Sequence, residues 1–324
     1  MRRLRVTPNG HRNSKKRALR DAGIKYVLET CSALLNFAQR HRHLPPYVEN
    51  PFQTIEICRI PVEDAVPVIA LEDAQQTALL QAADDWQFPI LLTLLLTGLR
   101  PGELVHLLLP ADLDLATGWL FVRNKPRLGW QIKTRNERDI PLVPVLAQVL
   151  AVMVGERKTG PVFLQRRCAD GFRPPLLHWS RSQLEQESIQ RLKLYGDVEN
   201  ERLARLSAAR TVWRDLGALK EDWVRKEFIQ VAKAAGMSNM TAPKTLRHTF
   251  ATILQDANVD PLVRNELMGH APMALSGHAG LGMTAVYTHT RPETKRRQLE
   301  TALSRLPVLT LTERWLASRS PSVK

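Results

Sequence analysis

Cysteine, tyrosine and acidic charge are all in short supply in this chain of 324 residues. Its three cysteines, Cys31, Cys58 and Cys168, stand far apart with no Cys-x-x-Cys pair. That argues against a disulfide framework or a thiolate zinc site and fits a reducing compartment. The nine histidines fall into no His-Glu-x-x-His or Cys/His cluster, so no metal is expected. There is no phosphate-binding loop of the Walker type and no Gly-x-Gly-x-x-Gly run, so neither nucleotide hydrolysis nor dinucleotide chemistry is indicated and no cofactor is expected. The longest apolar stretch, Phe88 to Leu99, is interrupted by threonines and is too short to span a bilayer. The opening Met1-Arg-Arg-Leu-Arg has charge but no apolar run behind it, unlike a secretory signal. The expectation is a soluble, cytoplasmic protein with no membrane partner.

Basic charge is abundant. Lysine and arginine number 46 against 32 acids, a net charge of +14. Such an excess favours a polyanionic partner, because each neutralised phosphate releases condensed counterions. The first twenty residues hold eight of these cations, among them Arg2, Arg3, Arg5, Lys15, Lys16 and Arg17, and no acid. A basic arm of this kind suits nucleic acid.

From Leu19 to about His41 apolar residues recur at helical spacing, until Pro45-Pro46 stops the helix. An extended connector then runs through Pro61 and Pro67. A second region opens near Ala70 with a helix start at Leu71-Glu-Asp, and an apolar helix from Pro89 to Thr97 ends at Gly98. Three short segments carry β signals: Trp119–Val122, Trp130–Ile132 and Asp139–Leu142. Beyond Pro144 the pattern returns to helices, and the charged stretch Gln183 to Lys220 shows no chemistry of its own. The fold class read from this is mainly α with a small antiparallel β-sheet. The divisions are a basic arm and small helical piece over 1–62, a linker over 63–69 and a large domain over 70–324.

Four places could carry chemistry. In Thr97-Gly-Leu-Arg100-Pro-Gly-Glu103-Leu, Arg100 stands at a corner between two helices, beside free N–H groups that suit phosphate oxygens, and Glu103 can orient its guanidinium. Lys133 opens a polar turn where an amine can reach a neighbouring cleft; Lys125 and Arg127 are rivals for that role. Lys244 and Arg247, three apart at a helix start, share a face with His248 nearby. That helix, a short turn and a second helix from Pro261 to Met268 also describe a helix–turn–helix regulator. Tyr287, one of only four tyrosines, follows a glycine-rich loop and precedes a basic amphipathic helix beginning near Pro292.

The ordered set Arg100, Lys133, Lys244-x-x-Arg247, Gly269-His270 and Tyr287, over roughly residues 70 to 305, resembles the tyrosine recombinase (phage integrase) family. The resemblance implies a catalytic domain of that family preceded by a partial helical core-binding domain. It further implies a phenolic nucleophile at Tyr287, Arg100, Arg247 and His270 around the phosphorane, Lys244 at the His-or-Lys position, and Lys133 protonating the departing oxygen. His270 precedes Tyr287 by seventeen residues, a wider gap than is usual, and His278, nine before it, is the rival. Insertions are then expected near 176–220 and 271–282. The implied activity is site-specific cleavage and rejoining of DNA through a 3′-phosphotyrosyl bond, without metal or ATP. The implied partner is double-stranded DNA, bound by a homotetramer whose subunits are monomers in solution. An inactive DNA-binding remnant and a helix–turn–helix regulator are the alternatives.

Overall fold

The structure is a computed structural model describing residues 5–7, 15–45, 47–53, 57, 60–62, 69–195, 200–270 and 290–319. The chain divides into two compact units, Met1–Val68 and Ile69–Lys324. In the first, β1 (Arg5–Val6) pairs antiparallel with β2 (Arg17–Ala18), so part of the basic arm is extended and paired. α1 (Asp21–Arg40) follows the apolar periodicity, yet among its residues only Ile24 is buried, and Tyr26, Leu34 and Phe37 are exposed. Asn50 is buried and donates to the Ser32 carbonyl and to Asn36 Oδ1, closing the following segment onto α1.

The second unit is built around one apolar helix. α2 (Asp73–Gln81) starts with a capping box between Glu72 and Gln75. α3 (Gln87–Thr97) is buried along its whole length, as its nearly unbroken apolar sequence demands. It ends at Gly98, whose φ of +61° is left-handed and where a Cβ would lie 2.3 Å from the Phe250 ring. Only glycine serves there, and the chain turns straight into α4 (Pro101–Leu104).

Two-residue β3 (Leu108–Leu109) comes next, followed by a three-stranded antiparallel sheet of β4 (Leu113–Asp114), β5 (Trp119–Val122) and β6 (Arg138–Pro141) in the order β4-β5-β6. The expected strand over Trp130–Ile132 is absent. Pro126–Leu128 forms a 3-10 turn, Gly129 takes φ +66°, and Trp130 makes only an isolated bridge with Lys125. A three-residue alternation had no second strand to pair with, so the loop folds on itself.

α5 (Pro144–Val154) covers the core next to α3, and β7 (Gly160–Pro161) pairs with β3. The short α6 (Arg166–Ala169) follows, and then α7 (Arg181–Lys193) and α8 (Glu201–Asp215) pack on each other. Next come α9 (Glu221–Ala234), α10 (Lys244–Asp256) and α11 (Pro261–Met268). α10 lies along α3, and its Thr249 hydroxyl accepts the Leu71 N–H at 2.9 Å. α12 (Pro292–Leu303) packs on α10 and β6 of its own chain, burying Leu299, Ala302 and Leu303. α13 (Pro307–Ala317) returns to α2 and α5, stacking Trp315 on Phe88 at 4.9 Å. Among the described residues no helix is long and apolar enough to cross a membrane.

Candidate active site

Glu103 is the centre of the site. It sits in the first turn of α4, 2 % exposed. Its Oε2 accepts the Arg100 backbone N–H at 2.8 Å, and its Oε1 accepts Arg100 Nη1 at 2.8 Å. Arg138, the first residue of β6, donates to both oxygens, at 3.1 and 2.6 Å. Arg247, in the first turn of α10, places Nη1 4.0 Å from Oε2. Burial alone would raise the Glu103 pKa; the bonds and charge of Arg138, then those of Arg100, outweigh it and hold the carboxyl below its usual range.

Three guanidinium groups thus surround one carboxylate, so among the described residues the cluster holds two more positive charges than negative. The strain shows at Arg247, 8 % exposed, where burial and then Arg100 push the pKa down to about 10. Arg247 donates to the Gly98 carbonyl at 2.5 Å and to the Met268 carbonyl. Arg138 Nε donates to the Leu267 carbonyl at 2.9 Å. The cluster therefore ties the α3–α4 corner to the end of α11. Arg100 keeps a quarter of its side chain exposed and faces outward. Buried cations in excess of acids are costly, and an anion at the open edge is the natural relief.

His270 follows directly on Gly269, the left-handed cap of α11, and is held by a backbone bond from its N–H to the Asn265 carbonyl at 3.0 Å. Its pKa is lowered by partial burial, then by the charges of Arg247, Arg100 and Arg138. Lys133 is exposed on its turn, and its neighbour Thr134 donates to the Gly269 carbonyl at 3.1 Å. The lysine turn thus abuts the same corner. Lys244 is exposed at the start of α10, with His248 one turn on. The His248 pKa is lowered by burial, then by Lys244 and Arg247.

The rival Lys125 has a different task. It is 1 % exposed and pairs with buried Asp112 at 2.8 Å beneath the loop, so it is spent on structure. Arg127 is exposed and 3.4 Å from Glu185. Tyr287, His278, Arg2 and Arg3 lie outside the described residues. Arg5, Lys15, Lys16 and Arg17 are exposed in the other unit, with Arg5 Nη2 donating to the Lys16 carbonyl at 3.2 Å. The Arg247 guanidinium, on the first helix of the segment that could be read as helix–turn–helix, is buried against backbone carbonyls.

Arg138 is the residue missed from the sequence, where it ends a run of polar turn residues. The signal was the strand alternation: 138, 140 and 142 share a face, and Ile140 and Leu142 are both core.

No protein-family model matches the chain. Tyrosine recombinase XerD of Bifidobacterium longum is 32 % identical over 122 residues, 36 % of this chain and 32 % of the relative. Tyrosine recombinase XerC of Pelotomaculum thermopropionicum is 28 % identical over 204 residues, 63 % of this chain and 49 % of the relative. Over these segments the chain is similar to tyrosine recombinases. These matches span between about a third and half of the length of the curated relatives. Among solved structures, the integrase of mycobacterium phage Brujita is 17 % identical with a TM-score of 0.47, covering 88 % of this chain and 75 % of that one. A lambda integrase dimer bound to a COC′ core site is 15 % identical with a TM-score of 0.48, covering 84 % and 76 %.

Proposed function

We propose that this tyrosine recombinase relative is a site-specific DNA strand-transfer enzyme of the integrase type. The observation that carries the reading is the cluster of Arg100, Arg138 and Arg247 around one carboxylate, with two positive charges in excess among the described residues and Arg100 partly exposed. A phosphodiester passing through a pentacoordinate phosphorane gains negative charge on its non-bridging oxygens. Fixed cations in a water-poor site stabilise that growing charge, commonly the largest catalytic contribution.

In the proposed reaction the Tyr287 phenolic oxygen attacks the phosphorus, forming the P–O(Tyr) bond as the bond from phosphorus to the 5′-oxygen breaks. Arg100, Arg247 and His270 hold the non-bridging oxygens, and Lys133 gives its proton to the departing 5′-oxygen. A phenol ionises near pH 10, so the same cations favour its oxyanion and its proton passes to solvent, with Lys244 and His248 beside them. The 3′-phosphotyrosyl bond keeps the energy of the phosphodiester, so a second 5′-hydroxyl can reverse the step without ATP or a metal. Double-stranded DNA is the partner, a homotetramer the working assembly, and the arm cations Arg2, Arg3, Arg5, Lys15, Lys16 and Arg17 add phosphate contacts.

The test is covalent trapping. Nicked duplexes tiled across the DNA flanking the gene are incubated with wild type and with Tyr287→Phe, then run on a denaturing gel. A shifted protein–DNA band from wild type only is the expected result. The same band from Tyr287→Phe overturns the nucleophile. No covalent band alongside retarded complexes on a native gel leaves a DNA-binding remnant in its place.

A further inference from the structure

α7 and α8 build a small core of their own, in which Leu176, Leu184, Val212 and Leu216 enclose Leu128 and Leu108. Leu128 ends the 3-10 turn in the loop between β5 and β6, the loop that carries Lys133. Its carbonyl accepts Trp213 Nε1–H from α8 at 2.9 Å. The next residue, Gly129, has φ +66°, and a Cβ there would come 2.7 Å from Ala209 Cβ, so α8 lies directly on the loop backbone. Across the loop, Arg181 of α7 donates from Nη2 to the Asn124 carbonyl at 3.3 Å.

The Asn124 side chain in turn shapes the lysine turn. Its Oδ1 accepts the Ile132 N–H at 2.8 Å, and its Nδ2 donates to the Arg135 carbonyl at 3.1 Å, one bond on each side of Lys133. A continuous set of hydrogen bonds therefore runs from the α7–α8 pair to the backbone flanking Lys133, and from there through Thr134 to Gly269. A general acid must come within about 3 Å of the atom it protonates, and a lysine on an unbraced loop of residues 123–137 would sample far more space.

We propose that the α7–α8 pair is a brace that holds the Lys133 turn against the active corner, with Trp213 and Arg181 as positioning residues. The proposal rests on the reading of Lys133 as the general acid. It gives residues 176–220, which carry no chemistry in sequence, a task in the reaction.

The test is a double variant, Trp213→Phe with Arg181→Met. It deletes the Trp213 and Arg181 hydrogen bonds to the loop, leaves the exposed Arg127–Glu185 contact, and keeps a ring beside His106 and an unbranched side chain on α7. Cleavage rates are measured on the trapped site with ordinary DNA and with DNA whose scissile 5′-bridging oxygen is sulfur. A thiolate leaves without protonation, since a thiol ionises near pH 8.5. The expected result is a loss of about 10- to 100-fold on the oxygen substrate, the scale of a small misplacement of a reacting group, with near-wild-type rates on the sulfur substrate. Equal losses on both substrates, or no loss on either, overturn the brace.

Lys133→Ala separates the two claims. If it is restored by sulfur while the double variant is unaffected on oxygen, the brace alone falls. If Lys133→Ala is no better on sulfur than on oxygen, the general-acid role falls and the brace with it. Amide hydrogen exchange over residues 132–135 gives a readout independent of activity. Faster exchange there in the double variant is expected, and unchanged exchange overturns the proposal.

Discussion

Glu103→Gln tests the central claim about the site without any need for catalysis. The substitution keeps shape and removes one negative charge. Glu103 now receives four hydrogen bonds, two from Arg100 and two from Arg138, all between 2.6 and 3.1 Å. A glutamine offers one acceptor oxygen, so its amide nitrogen must face at least one donor, and buried Arg138 and Arg247, with half-buried Arg100, lose the one carboxylate close to them among the described residues. Breaking a buried pair by neutralising one partner costs about 3–5 kcal/mol. For a unit of this size about 1 kcal/mol moves the melting temperature by roughly 2–4 °C, so a fall of roughly 6–20 °C is expected. The assay is thermal unfolding followed by circular dichroism, repeated with added sulfate. Because the variant site carries an extra positive charge, sulfate should raise its melting temperature more than that of wild type. The control is Glu137→Gln, whose carboxylate is 45 % exposed and 3.8 Å from Arg123, and which should change stability by less than about 1 kcal/mol. Equal small changes in both variants would refute the buried cluster.

His106 and Gly98 give two further predictions. The His106 ring stacks on Trp130 at 4.8 Å and donates from Nδ1 to the Gly102 carbonyl at 2.6 Å; burial pushes its pKa down to about 4. The folded state therefore keeps the ring neutral, while an unfolded chain protonates it near pH 6.5. Its contribution is complete above about pH 6.5 and is lost as pH falls toward about 4, by about 3 kcal/mol in all. His106→Phe should remove that part of the acid sensitivity in urea midpoints taken between pH 7.5 and 4.5; an unchanged slope would refute it. Gly98→Ala meets both a left-handed φ and the Phe250 ring, so a loss of about 2–5 kcal/mol is expected in urea unfolding. Gly236→Ala, at φ +79° with nothing within 4 Å of its Cβ position, isolates the backbone part and should cost about 1–2 kcal/mol. Equal losses at the two glycines would show that the Phe250 contact carries no weight.

The corners of the site were legible in sequence because they are made by residues with narrow conformational use. Gly98 and Gly269 take positive φ at the ends of α3 and α11, and Pro101 and Pro261 open the next helices. Backbone punctuation of that kind acts locally, so it places Arg100 and His270 on definite corners before any tertiary contact is known, as Pro243 before α10 does for Arg247. The segment Trp130–Ile132 fails for the complementary reason. Its β signal was side-chain alternation, which matters only where a partner strand exists, and Pro126 with Gly129 bends the loop back before one can form.

Charge is the least legible property, because sequence gives its sign but not its burial. Arg138, Lys125 and Arg127 all lie in or beside the same polar loop between β5 and β6. Arg138 is buried on Glu103, Lys125 is buried on Asp112, and Arg127 is exposed. What separates them is the side of the strand or turn on which each falls, and that is set by contacts far away in sequence. Trp213 shows the same dependence: its indole N–H reaches a carbonyl 85 residues earlier in the chain. A stretch can therefore be empty of recognisable chemistry and still govern a reacting group, provided it bonds the backbone that carries that group. In α7 the contact is of this kind: Arg181 bonds the Asn124 carbonyl, and the Asn124 side chain bonds the backbone on both sides of Lys133.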